Sequence, residues 1–351
     1  MTKPIDEMAS PLVEWYKQHE RSFPWRKNPS PYRVWVSEIM LQQTRIEAAL
    51  PYFERFMKAL PTIRDLSVAS EDVLLKLWEG LGYYSRVRNL QKAAQIVMTD
   101  FGGELPNSYE ALLSLPGIGE YTAGAIASIA FGKRAAAVDG NVLRVMARIT
   151  NDDTDVMQPK NRKRLTKLVQ SLVPEDAAGE FNQGIMELGE TICLPNAQPR
   201  CSDCPISAYC AVAGQERARE LPVRTPPKSR RVEKLTVFVM VTQETPKKVV
   251  LHRRSSKGLL GGMWEFPNCQ RDKADKFLSD FGIEPITTSP LPDSKHIFSH
   301  VEWHMNGVFV KIKNFTDNNA FQAISKEELS QYALPTAFRT YSNYLIEEDV
   351  L

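Results

Sequence analysis

Long apolar runs are missing from this chain. Nothing approaches the roughly 20 consecutive apolar residues that a membrane-spanning helix needs, and no N-terminal apolar run leads into a small-residue cleavage site. The expectation is a chain that is neither exported nor inserted and that works in the cytoplasm. Net charge is nearly absent too. Lys and Arg number 44 against 42 Asp and Glu, leaving +2, so any surface for a polyanion has to be local. Cysteine is scarce, five in 351 residues, and four of them fall between Cys193 and Cys210. Clustering of that kind in a cytoplasmic chain excludes a disulfide framework and points to a metal or cluster site. Internal repeats and low-complexity tracts are lacking as well. What remains, 43% apolar and 25% charged residues, is ordinary for a globular protein, and the length allows two domains.

Residues 1–213 read as almost entirely helical. Val34, Glu38 and Leu41 share one helical stripe, and further helical signals recur at EDVLLKLWEGL, RNLQKAAQIVMTDF, YEALLSL and RKRLTKLVQSLV. Pro51, Pro61, Pro106 and Pro116 punctuate them, each biasing its predecessor out of helix. The run 214–231 carries three prolines, six basic and two acidic residues and reads as an exposed linker. From 232 the period changes to that of strands. LTVFVMVTQ and KVVLHRR form a hairpin about a Thr-Pro turn, EWHMNGVFVKI is a further strand, and KADKFLSDFGI and EELSQYAL read as helices. The predicted fold is therefore multidomain: an all-α domain at 1–213, a linker, and an α+β domain at 232–351.

The first domain is organised around Leu115 to Asn141. Gly117-Ile118-Gly119 makes a tight turn, and a small-residue helix continues to about Phe131, ended by Gly132. A loop then delivers Asp139 to the start of VLRVMARI. Glycine turns let backbone N–H groups approach an anion closely, and a helix N-terminus adds positive potential, so phosphate is the natural partner. Asp139 suits a helix N-cap, and an ionised carboxylate there is compatible with one. Glu38 interrupts an apolar stripe. It is either a partly exposed edge residue or a buried acid whose pKa is raised to suit proton donation. A protonated carboxyl beside an ionised one is the pair that cleaves a glycosidic bond.

The cysteines run Cys193-x7-Cys201-x2-Cys204-x5-Cys210, a set that binds zinc or an iron–sulfur cluster without the spacing choosing between them. Cys269 stands apart as an ordinary core cysteine. Local basic groups at Arg86, Arg88 and Lys92, at Lys160, Arg162, Lys163 and Arg164, and in the linker could track a phosphate backbone. Gln42, Gln43, Tyr83 and Tyr84 nearby could enter a base stack. Phe298-Ser299-His300 comes after a Pro-rich turn, and its hydroxyl and imidazole could read a base edge.

Together these residues resemble one family. LPGIGEYTAGAI with Asp139 is similar to the helix-hairpin-helix and Gly/Pro…Asp motif of the endonuclease III superfamily, and the four cysteines to its 4Fe-4S loop. SEIMLQQT, GLGYYSRVRNL, FNQGIMELG and FSH resemble the MutY-type adenine DNA glycosylases within it. The resemblance implies that Glu38 protonates adenine N7 and that Asp139 stabilises the cationic sugar, with Asn141 and Tyr121 beside it. It implies that Gln43, Thr44, Tyr83, Gly117, Gly119 and Arg86 contact DNA, and that Phe298, Ser299 and His300 recognise 8-oxoguanine in a Nudix-like domain. Cys193, Cys201, Cys204 and Cys210 would hold the 4Fe-4S cluster. The partner would be double-stranded DNA with adenine opposite 8-oxoguanine or guanine, bound by a monomer that joins the nucleoid when on DNA.

Two features depart from the superfamily. Tyr121 stands where its lyases carry a Lys nucleophile, which favours a monofunctional glycosylase. The first cysteine interval is x7 where x6 is commonest. The GGMWEFPNC stretch and the helix after it also lack the paired glutamates of a Nudix pyrophosphatase. Two other readings stay open: a bifunctional endonuclease III-like glycosylase/lyase, and a non-catalytic iron–sulfur DNA-binding protein.

Overall fold

The computed structural model describes residues 2–195, 197–226, 229–318 and 320–347. Pro227 and Lys228 of the expected linker, and residues 348–351, lie outside them. The chain divides into two compact units, Met1–Ala69 with Ser85–Pro226, and Ser70–Tyr84 with Pro227–Leu351. This differs from the division drawn from the sequence in two respects: 70–84 groups with the C-terminal unit, and 214–226 of the expected linker groups with the first. No helix among the described residues is long and apolar enough to cross a membrane.

The first unit is helical. Its elements used below are α1 (Pro31–Leu41), α3 (Ser85–Asp100), α4 (Glu120–Ala125), α5 (Gly140–Ile149) and α6 (Ala178–Thr191); α2 (Glu71–Leu77) belongs to the second unit. Ser30 caps α1 by accepting the Arg33 N–H, and Pro31 stands in the first turn, where its missing N–H is not needed. The core forms where α5 buries Val142, Val145 and Met146 with Phe181, Ile185 and Leu188 of α6 and with Met8 and Leu12.

Two sequence expectations are corrected in this unit. Helix Ile46–Ala59 runs through Pro51 instead of breaking there. An interior proline costs ~3 kcal/mol or more, but the helix buries Phe53 and Phe56, each worth about 1.5–3 kcal/mol. The expected linker is largely exposed over its first half, but it is anchored there. A short helix at Arg217–Glu220 buries Ala218, which clusters with Leu221 and Val212, and the Val223 carbonyl accepts the Val156 N–H at 3.1 Å. The apolar residues scattered among the prolines and arginines hold this stretch to the unit.

The second unit is a seven-stranded sheet with helices: β1 (Arg231–Thr242), β2 (Lys248–Arg253), β3 (Trp264–Glu265), β4 (Asn268–Gln270), β5 (Pro285–Ile297), β6 (Val301–Ile312) and β7 (Phe321–Ser325). The order is β3-β2-β1-β6-β5, with β4 also on β1 and β7 on β2. β1 pairs parallel with β6, from Arg231↔Val301 to Thr242↔Ile312, and antiparallel with β2. Alternation sends Leu235, Val237, Val239 and Val241 to one core and Phe238 and Met240 to another. Both faces are buried, which is why β1 reads as a continuous apolar run.

Here too the structure corrects the sequence reading. The Pro-rich turn before Phe298 is strand β5, on the sheet edge, with register shifts at Pro285/Thr287 and Leu291/Ser294. An edge position is where strand prolines are tolerated. EELSQYAL is helical only within Lys326–Leu329.

Candidate active site

A cleft of about 1040 Å³ opens in the helical unit, lined among others by Glu38, Gln43, Thr44, Tyr121, Asp139 and Asn141. Glu38 sits on the second half of α1 and is 7% exposed, so it is a buried acid and not an edge residue. Its Oε2 accepts the Tyr121 hydroxyl at 2.6 Å. Burial pushes the carboxyl up to about 7, the nearby Asp139 charge adds to the rise, and the Tyr121 hydrogen bond opposes it.

The chain leaves α1 into Gln43, whose φ of +58° is unusual for a side-chain-bearing residue. The α1 carbonyls that run out at this point are gathered by Arg86. Its guanidinium donates to the carbonyls of Ile39 at 2.8 Å, Met40 at 2.9 Å and Gln42 at 2.7 Å, and to the Thr44 hydroxyl at 3.4 Å. This corrects the expected phosphate contact: Arg86 is buried and serves the end of α1.

Gly117, at φ +79°, makes the hairpin turn, and the Ala123 N–H donates to the Gly119 carbonyl at 2.9 Å to start α4. The expected helix from Tyr121 to Phe131 is α4 followed by one π turn, Ile126–Ala130, before Gly132 ends it at φ +63°. The loop beyond Gly132 lies directly on α4, because a Cβ on Gly124 would stand 2.0 Å from the Ala136 carbonyl oxygen. Asn182 of α6, fully buried, fixes it. Its oxygen accepts the Ala137 N–H at 3.0 Å, and its amide donates to the Ala135 carbonyl at 2.7 Å and to Ser128 Oγ at 2.9 Å.

So delivered, Asp139 caps α5, Oδ1 accepting the Val142 N–H at 2.8 Å and Oδ2 the Asn141 amide at 2.8 Å. Arg144 in turn donates to Asn141 Oδ1 and to the Gly189 carbonyl, each at 2.9 Å. Burial raises the Asp139 pKa, and these hydrogen bonds pull against it. From sequence the cap is expected only to favour the ionised form; its burial comes from the fold.

Sequence reasoning missed the polar wall of the cleft. Glu187, 3% exposed, pairs with Arg21 and with Arg26, the latter at 3.0 Å, and Arg26 Nε donates to Gln183 at 3.2 Å. The signal for Glu187 and Gln183 is one acid and one amide within FNQGIMELG, which reads equally well as an amphipathic helix, and Arg21 and Arg26 stand far off in RSFPWRK.

Cys193, Cys201, Cys204 and Cys210 line one cavity with Ile149, Leu188, Ile206 and Val212, and none forms a disulfide. Arg148 donates to Cys193 Sγ at 3.2 Å. Burial pushes the Cys204 thiol up to about 12 and that of Cys210 to about 11, so thiolates here call for a cationic centre. Among the described residues no three His, Cys, Asp or Glu converge as a single ion requires. A cluster ligated by one thiolate per iron accepts a wider spread, and the all-sulfur donor set fits it.

The second unit carries Phe298-Ser299-His300 between β5 and β6. Phe298 packs edge-on against Trp303, with centroids 4.9 Å apart, while Ser299 and His300 are exposed. The Tyr83 hydroxyl is 2.6 Å from Ser299 Oγ, and Tyr83, at φ +49°, shares with Gln43 the left-handed backbone. Such strain in non-glycine residues gathers at functional positions. In the same unit Glu265 is buried and bound by His252 at 3.0 Å and Arg254 at 2.6 Å.

Comparison with known proteins places these features in context. Residues 36–174 match the family described as HhH-GPD superfamily base excision DNA repair protein, and 236–344 match the NUDIX domain. Adenine DNA glycosylase of Rattus norvegicus is 35% identical over 350 residues, 83% of this chain and 68% of the relative. That of Buchnera aphidicola from Acyrthosiphon pisum is 32% identical over 314 residues, 89% of this chain and 88% of the relative. A thermostable thymine-DNA glycosylase structure superposes with a TM-score of 0.53 at 30% identity, over 58% of this chain and 93% of that one.

Proposed function

We propose, since this chain belongs to the adenine DNA glycosylase family, that it removes adenine paired with 8-oxoguanine, and with guanine, from duplex DNA. The protein is a base-excision-repair glycosylase with an N-terminal helix-hairpin-helix domain and a C-terminal Nudix-like domain. The observation that carries the finer reading is a buried Glu38 with a pKa of about 7, in one cleft with Asp139.

An adenine flipped from the duplex enters this cleft. Glu38, protonated, gives its proton to adenine N7 and so makes the base a neutral leaving group. The N-glycosidic bond breaks, and the sugar becomes an oxocarbenium ion. The Asp139 carboxylate, oriented by Asn141 and the Val142 N–H, faces that charge, and water adds to the sugar carbon and gives up its proton to the carboxylate that Glu38 has become. Tyr121 holds the Glu38 carboxyl and offers no amine, so no Schiff base forms at that position. Gln43 and Tyr83 fill the space left in the stack, while Thr44, Gly117 and Gly119 grip phosphate. Ser299 and His300 read the lesion.

The four clustered cysteines would hold a 4Fe-4S cluster, which supplies a rigid tie for the 193–210 loop. Iron analysis of anaerobically purified protein is expected to give about four irons per chain, and zinc in their place would refute the cluster. The decisive assay uses duplex DNA holding adenine opposite 8-oxoguanine. Free adenine should appear, with strand scission only after alkali; scission without alkali would indicate a lyase, and no release a non-catalytic protein.

A further inference from the structure

We infer that Glu79 is a positioning residue for lesion selectivity, acting through the Ser70–Tyr84 segment on the contact between Tyr83 and Ser299. Five residues of this segment reach the C-terminal part of their own unit, Glu71 among them with its carboxylate 3.9 Å from the Arg253 guanidinium. Asp72 accepts from Arg253 at 3.1 Å, Lys76 donates to the Tyr332 carbonyl at 3.1 Å, Glu79 accepts the Leu334 N–H at 2.7 Å, and Tyr83 meets Ser299 at 2.6 Å. Asp72 and Lys76, four residues apart, lie on one face of α2. Glu79 and Tyr83 follow beyond the end of α2, in a turn in which the Trp78 indole donates to the Gly82 carbonyl at 3.1 Å.

Among these contacts the Glu79 bond differs in kind. It joins a carboxylate to a backbone N–H, a charge-assisted bond to a group that cannot swing away, and its second oxygen holds Lys76 Nζ at 2.7 Å. The Asp72–Arg253 pair lies between exposed side chains, where ion pairs contribute little. Glu79 thus ties Lys76 of α2 and the Leu334 backbone to one carboxylate.

The segment leads straight into a residue of the catalytic helix end. Three positions after Tyr83 comes Arg86, whose guanidinium gathers the carbonyls between Glu38 and Gln43. A residue touching the lesion-facing loop and a residue shaping the end of α1 are therefore almost adjacent in the chain. A displacement of Ser70–Tyr84 from its contacts would be felt first at Tyr83, the position that meets Ser299. The inference rests on the reading of Ser299 and His300 as the lesion reader.

The test compares single-turnover adenine release opposite 8-oxoguanine and opposite guanine for the unaltered protein, Glu79→Ala, Glu79→Gln and the double variant Ser299→Ala/His300→Ala. Glu79→Ala is expected to lower the ratio of the two rates about tenfold, the size of one lost charge-assisted hydrogen bond, with the rate opposite guanine falling by much less than the rate opposite 8-oxoguanine. Glu79→Gln keeps an oxygen for the Leu334 N–H and should restore most of the ratio. If the double variant loses the preference and Glu79→Ala keeps it, the role of Glu79 is overturned and the loop reading stands. If both keep it, both fall. Equal losses on both substrates by Glu79→Ala and Glu79→Gln would mark a general folding defect and also overturn the inference.

Discussion

Replacing Glu38 by Gln is expected to abolish adenine release while DNA binding and the fold persist. The amide has the same shape and can still accept the Tyr121 hydroxyl, but it has no acidic proton to give. Loss of a positioned general acid costs roughly 10²–10⁴-fold, read as the single-turnover rate. The pH dependence comes from the same group. With Glu38 raised to about 7, the acid form dominates below neutrality, so the rate of the unaltered protein should fall as pH rises through about 7. Glu38→Gln should lack that limb. Stability falls in the same direction of pH. The folded pKa of about 7 stands above the ordinary value of 4.5, so ionisation destabilises the fold progressively as pH rises between these values. At pH 8 the amide should therefore be more stable, by at most about 3 kcal/mol, as read by denaturant unfolding. A near-normal rate in Glu38→Gln would remove Glu38 from the acid role.

Asp139→Asn is expected to lose the chemical step with little loss of stability. Asn is as good an N-cap as Asp, so α5 keeps its Val142 hydrogen bond, the burial that raises the Asp139 pKa favours a neutral side chain, and the one bond lost is that from the Asn141 amide, about 1 kcal/mol. What disappears is the negative charge opposite the developing sugar cation. Preorganised electrostatic groups of this kind contribute about 10²–10³-fold each. Measurement pairs the single-turnover rate with the melting temperature. Full activity would reduce Asp139 to a helix cap, and a collapsed melting temperature with matching rate loss would make its role structural.

Legibility differs from residue to residue. The hairpin turn at Gly117, the end at Gly132 and the cap at Asp139 are local events, set by backbone preference within a few residues, and all three are legible in the sequence. So are the alternating strands and the cysteine cluster, since each depends on spacing along the chain. Glu38 is ambiguous because a helical stripe does not say what covers it; burial by Tyr121, 83 residues away, decides that. Arg86 is misread for the same reason. A cation looks alike in sequence whether it meets phosphate or its own carbonyls, and only the packing of α3 beside α1 puts its guanidinium on Ile39, Met40 and Gln42. Pro51 is misread because local propensity is outweighed by the burial of Phe53 and Phe56. The anchoring of the linker at Ala218 and Leu221 is hidden because composition outvotes two apolar residues.

The sequence by itself determined the order of the elements, the helical and α+β characters of the two halves, and which side chains could do chemistry. Tertiary structure alone decided that Glu38 and Asp139 share a cleft, that Asn182 and Gly124 seat the loop between the hairpin and Asp139, and that Ser70–Tyr84 belongs with the C-terminal unit. The physical reason is range. Turn, cap and period are fixed by neighbours in the chain, whereas burial, and with it the pKa of an acid and the partner of a cation, is fixed by residues that only folding brings near.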